Sequence, residues 1–254
     1  MPQLIRTARA TGLFYLGLAV SAALGFLTAR SMIFDAGDAA TTLANLVAHE
    51  SLARAGIALE LLVVLTQTLT AVWFYRLFRT VDGTAAGSIA AFGLVNAVAI
   101  LGSAAVLATA LQVATDGPAD AGTIQLLYLV SGNLWEVGGL FFGLWLVPMG
   151  WCVLRSGWLP RPLGWVLVAG GVSYVLMTFV AYLAPGAGIA GDLLVVPATV
   201  GELWILGYLI VFGVRNHAET TAGARKRAET TAGARKREEA SAPPSARTTL
   251  RRGR

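Results

Sequence analysis

The stretch SIAAFGLVNAVAILGSAAVLATAL, residues 88–111, runs for twenty-four residues without a charged side chain. At 1.5 Å per residue it makes a helix about 36 Å long, enough to cross the roughly 30 Å hydrocarbon layer of a bilayer. Five more stretches meet the same test, at residues 10–29, 56–75, 131–154, 163–184 and 193–214. Composition agrees, with 13% charged residues, 56% hydrophobic residues and a mean hydropathy of +0.67. A soluble domain carries about 25% charged residues. The expected fold is therefore all-α: a polytopic membrane bundle of six transmembrane helices over residues 1–216, with a basic C-terminal tail at 217–254. Arg6 and Arg9 before the first stretch resemble a signal-peptide head. The apolar run that follows is longer than the usual core of about 7–15 residues, so it reads as a retained helix.

Basic residues set the expected orientation, because cytoplasmic loops carry the excess of Lys and Arg. Arg6, Arg9, Arg76, Arg79, Arg155, Arg161 and Arg215 fall on one side together with the tail, while the other side receives only Arg30 and Arg54. The expectation is a bacterial cytoplasmic membrane protein with both termini cytoplasmic and the loops around Asp116, Asp120 and Asp192 outside. In the first outer loop Asp38 has the character of a helix cap, and Leu43, Leu46 and Val47 repeat at helical spacing, predicting an interfacial helix at about residues 38–54. Glu50 and Arg54 stand at i and i+4 in the favourable order, which accounts for one of the two outer arginines. In the tail the decapeptide AETTAGARKR at residues 218–227 repeats unchanged at 228–237. With almost no large apolar residues to bury, the tail is expected to be disordered. Contact with anionic lipid is the functional reading it favours, ahead of nucleic acid. The bilayer is the one partner that the composition itself implies.

Three charged residues fall inside the expected spans: Glu60, Glu136 and Glu202. A charge at mid-bilayer costs about 2.5–3.5 kcal/mol, so each needs a reason. Measured along their helices from Arg76, Arg155 and Arg215, they lie at about 24, 28 and 20 Å from the inner boundary. All three thus belong to the outer half, with Glu202 the deepest. Asn133 precedes Glu136 by three residues, Thr199 precedes Glu202 by three, and Gln67 follows Glu60 by seven, giving each acid a polar companion on its own face. Tyr174, Thr178 and Tyr182 form a further stripe on the fifth span. These residues make a candidate polar chamber with two readings. The favoured reading is a non-catalytic protein with a sensing, regulatory or scaffolding role, in which neutral carboxyls are hydrogen-bonded across helix interfaces. The alternative is an outward-facing site of a small ion- or proton-coupled transporter or channel-like protein. No Lys or Arg falls inside the expected spans to pair with the glutamates.

Gly139 and Gly143 form GxxxG, and Gly170 and Gly171 lie on the next span, all suited to close helix packing. Pro148 is expected to bend its helix. Cys152 is the single cysteine, which excludes an intramolecular disulfide and leaves a small core residue. The two histidines, His49 and His217, both fall outside the spans, so intramembrane haem, zinc and Ser/His chemistry lack ligands. No aspartate lies in a span, and no phosphate-binding glycine motif is present. Neither a metal nor a cofactor is expected, and an enzyme is the least favoured class.

Several separated motifs carry a family resemblance. ESLARAGIALELL from Glu50, FYRLFR ending at Arg79, LWEVGGLFFGLWLVPMGWCVLRSGWLPRPLGW from Leu134 to Trp165, and PATVGELW from Pro197 to Trp204 are similar to bacterial membrane proteins catalogued as domain of unknown function 4386. The resemblance covers nearly everything before the tail. It implies a membrane fold of six to seven helices and no catalytic residues, since the family has no established activity. Trp145 stands where many members have His, and Gln67 where some have an acid, so neither position supports a metal or proton-relay reading.

Overall fold

The computed structural model describes residues 2–184, 186 and 193–214. Asp192 and the expected tail at 217–254 lie outside the described residues. The chain forms α1 (Pro2–Ile33), α2 (Ala39–Ala48), α3 (Glu50–Phe78), α4 (Gly83–Thr115), α5 (Ala121–Ser156), α6 (Arg161–Leu183) and α7 (Val196–Val211). Five of these, α1 and α3 to α6, are long and apolar enough to cross a membrane. The sixth expected span is shorter than its hydropathy suggested: α7 has 16 residues, about 24 Å. The fold is the expected all-α membrane-type bundle. Large apolar side chains face outward around it, Leu27 at 77% exposure, Val98 at 67% and Leu183 at 81% among them. Lipid suits such a surface, whereas water does not.

Each long helix packs on the next in sequence, and α7 returns to pack on α1, closing a ring of six. The caps follow local chemistry. Asp38 accepts from the backbone N–H of Ala40 and Thr41 to start α2, and Asp120 accepts from Thr123 N–H to start α5. Gly157, in the left-handed region at φ 63°, ends α5, and Pro162 sits in the first turn of α6, where its missing N–H costs nothing. The interfacial helix is shorter than expected. It stops at Ala48, and Glu50 to Arg54 belong to the first turns of α3, because His49 leaves the helical region at φ −117°, ψ 41°. Glu50 and Arg54 do pair, at 2.6 Å.

Helices α5 and α6 meet backbone to backbone. A methyl group on Gly150 would lie 2.6 Å from the Gly164 carbonyl oxygen, and one on Gly171 would lie 2.8 Å from the Gly143 carbonyl oxygen. The seam therefore joins Gly143 and Gly150 to Gly164 and Gly171, a seven-residue spacing on both helices, which suits left-handed packing. The GxxxG pair does not act as a unit. Gly139 faces the Tyr174 ring, and Gly170 faces the backbone of Pro197 and Ala198 on α7. Cys152 is buried as a free thiol in the core.

Inside the ring the apolar core is split. One cluster holds Tyr15, Phe74, Phe78, Trp145 and Met149; the other lies under α2 and holds Ile33, Leu46, Leu111, Ile124 and Tyr128. Between them along every contributing helix sits a polar layer with Arg30, Glu60, Ser103 and Ser131.

At the opposite end from α2, Asp82 caps α4 and ties it to α5. It accepts from Ala85 N–H at 3.0 Å, from the Arg155 guanidinium at 2.8 Å and from the Trp151 indole at 3.2 Å. These donors, the backbone bond to Ala85 foremost, hold its carboxyl below the usual 3.8. The folded-state value is depressed, so the stabilisation is present above the unfolded value and is lost as pH falls through the folded one. The thermal stability of purified protein is expected to drop below about pH 4 by more in the native chain than in Asp82→Asn. Equal acid sensitivity of the two would exclude this tie.

Candidate functional site

Arg30 organises the polar layer. It was expected in an outer loop, but α1 runs on through Ile33 and includes a π-helical turn over Gly25–Arg30. Such wide turns re-aim side chains and recur at functional sites. Here the turn sends Arg30 inward, where Nη1 donates to Ser131 Oγ and Nη2 to the Tyr128 carbonyl, both at 3.2 Å. Its guanidinium lies 5.7 Å from the centre of the Phe26 ring and 5.9 Å from that of Phe34. Gly132 leaves it room, since a methyl group there would stand 2.9 Å from Nη2. The expectation that no Lys or Arg lies within the spans to accompany the glutamates is thereby corrected: Arg30 lines the cavities of both Glu60 and Glu136.

Three adjoining cavities hold the three glutamates, and the Trp135 indole is a wall of all three. The smallest, about 30 Å³, lies beside Glu60 and Arg30. That volume accommodates a water molecule or two. Glu60 is 8% exposed, accepts from Trp135 Nε1 at 3.1 Å through Oε1, and leaves Oε2 without a hydrogen-bond partner among the described residues. Ser103 Oγ pairs with Ser131 Oγ at 2.7 Å, and Ser131 in turn accepts from Arg30, so two hydroxyls of the same layer run in series to the guanidinium.

The second cavity, about 200 Å³, holds Glu202 with Gln67, Asn96, Tyr174 and Thr199. Tyr15 OH donates a short hydrogen bond to Glu202 Oε1, joining α1 to α7. Gln67 donates to the Gly93 carbonyl at 3.4 Å and is otherwise a buried acceptor without a partner among the described residues. It was expected as the companion of Glu60; it lines the cavity of Glu202 instead.

The third is an open cleft of about 590 Å³ between α1, α5 and α6, holding Glu136, Asn133, Tyr174, Thr178 and Tyr182 along with Arg30. Tyr182 OH reaches Glu136 Oε2 at 3.5 Å. The Thr178 hydroxyl is turned back to the Tyr174 carbonyl at 3.1 Å, and that of Thr199 to the Val195 carbonyl at 3.2 Å. The eight sequence candidates thus adjoin one another but are divided by Trp135, with Tyr174 touching two of the cavities.

Sequence reasoning missed Arg30, Trp135, Tyr15, Ser103 and Ser131. One signal existed for Arg30, as it was the outer arginine with no acid at helical spacing. The others carry no mark in a sequence that is rich in Trp, Tyr and Ser at interfaces.

Fold and site together define a polytopic α-helical protein of membrane type, closed into a ring around a polar layer. The chain belongs to the family described as a domain of unknown function, DUF4386, which matches residues 10–213. No curated protein and no solved structure matches it.

Proposed function

We propose that the polar layer is the binding chamber of a small ion- or proton-coupled transporter in a bacterial cytoplasmic membrane. The carrying observation is that three intramembrane glutamates from α3, α5 and α7 line cavities sharing one indole wall. Acids held only as structural ties belong in tight interfaces, whereas acids beside open volume accompany solute and ion pathways. Arg30, Ser131 and Ser103 supply hydrogen-bonding groups in series within the same layer as Glu60. Orientation rests on the basic residues: both ends of the chain cytoplasmic, with the 590 Å³ cleft toward the outside. The tail's basic repeat suits contact with anionic lipid on the inner surface.

The Tyr15–Glu202 bond favours a second reading, a non-catalytic sensing or scaffolding protein with that acid as a helix tie. Ion and metabolite flux in cells lacking the protein distinguishes the two. Cells carrying Glu60→Gln, Glu136→Gln and Glu202→Gln together are expected to match the deletion while still accumulating folded protein in the membrane. Full complementation by the triple variant would exclude transport through the chamber.

A further inference from the structure

The open cleft carries a guanidinium and a carboxyl that form no ion pair with each other. Among the described residues Arg30 forms no ion pair, and its two hydrogen bonds go to neutral oxygens. A guanidinium has five N–H donors in a planar fork, so most of its capacity for an oxyanion is unused. Glu136 likewise forms no ion pair there, and among the described residues its side chain takes one hydrogen bond, the long one from Tyr182. The Asn133 side chain makes no hydrogen bond among the described residues, which leaves an amide donor and acceptor in the same cleft.

An anion alone is attracted by Arg30 and repelled by Glu136, and a cation alone meets the reverse. A ligand bearing both charges satisfies both residues. The rings of Trp135, Tyr174 and Tyr182 also line the cleft, and aromatic rings attract an ammonium. Phe26 and Phe34 flank the guanidinium and hold its fork in place. At about 590 Å³ the cleft lies within the range of small-molecule sites, roughly 300–1,000 Å³.

We propose that this cleft binds a zwitterion, with its oxyanion on Arg30 and its ammonium on Glu136 and the neighbouring aromatic rings. The proposal rests on reading the polar layer as a ligand chamber, and it names the ligand class. Free solutes and lipid headgroups both offer this chemistry.

Phosphoethanolamine is the free probe, titrated calorimetrically into the full-length purified protein in detergent. Glycerol phosphate and ethanolamine serve as single-charge controls. Phosphoethanolamine is expected to bind at least tenfold more tightly than either control. Arg30→Gln and Glu136→Gln are each expected to weaken it at least tenfold. Gly132→Ala, which keeps every charge but crowds Nη2, is expected to weaken it too, so the test survives if Arg30→Gln fails to fold. The lipid-borne source is read by mass spectrometry of the protein released from nanodiscs of mixed phosphatidylethanolamine and phosphatidylglycerol. Retention of the zwitterionic lipid that depends on Arg30 and Glu136 supports the same site with a headgroup as ligand. Binding of a single-charge control as tight as that of the zwitterion overturns the proposal, as does binding of neither source or indifference to both substitutions. Zwitterion binding without flux would overturn transport and leave this site standing. Glutamate-dependent flux without zwitterion binding would do the opposite.

Discussion

Gly150→Leu is expected to prevent the ring of helices from closing. The position faces backbone, with Gly164 O at 2.6 Å and Val168 N at 2.9 Å from where a Cβ would sit, and backbone cannot rotate away as a side chain can. The helices must separate along the seam, which also opens the contact between Gly143 and Gly171 one heptad on. Overpacking ordinarily costs about 1–3 kcal/mol, and a clash with two backbone atoms belongs at or above the top of that range. Little folded, monodisperse protein should survive detergent extraction and size-exclusion chromatography. Gly207→Ala is the control: nothing lies within 4 Å of its Cβ position, and alanine favours the helix by about 0.5–1 kcal/mol. Normal recovery of Gly150→Leu would mean that α5 and α6 do not pack as described.

The sequence marks the ingredients of this seam without marking its geometry. Glycine at 139 and 143 matches a familiar four-residue motif, yet the partner helix chooses 143 and 150, and only the crossing of α5 and α6 decides between four and seven. The helices were legible for a simpler reason. Hydropathy reports the solvent of each stretch, and lipid demands long unbroken helices. Asp38 was legible as a cap because capping is local.

The site was legible to the extent that charge in lipid is rare. Glu60, Glu136 and Glu202 stood out at once, and their similar depth followed from counting along the helices. Their partners are set by helix rotation and by which helices adjoin, neither of which one sequence records. Thus Gln67, assigned to Glu60 by periodicity, lines the cavity of Glu202. Arg30 was misplaced because hydropathy ends a span where charge begins. The π-helical turn instead carries the helix past the arginine and directs it inward, so the one basic group in the layer was counted as loop.

Glu202→Gln is expected to leave the fold intact and to abolish the coupled flux. Tyr15 on α1 donates to Glu202 Oε1 on α7, across the interface that closes the ring. Glutamine keeps an acceptor oxygen at the same place, so thermal stability in detergent should change little. Glu202→Ala removes the acceptor and leaves the buried Tyr15 hydroxyl unsatisfied, at a cost of roughly 0.6–2 kcal/mol for an interhelical bond in a membrane protein. Tyr15→Phe should cost a similar amount. The double variant should fall short of the sum, because the second change removes a group whose partner is already gone. This cycle measures the tie whether or not the protein transports anything. Flux is decided separately: glutamine neither titrates nor holds a cation, and Glu202 lines the cavity with Gln67, Thr199 and Tyr174. Unaltered flux in Glu202→Gln, beside a destabilised Glu202→Ala, would remove this acid from the pathway and leave it as the clasp between the first and last helices.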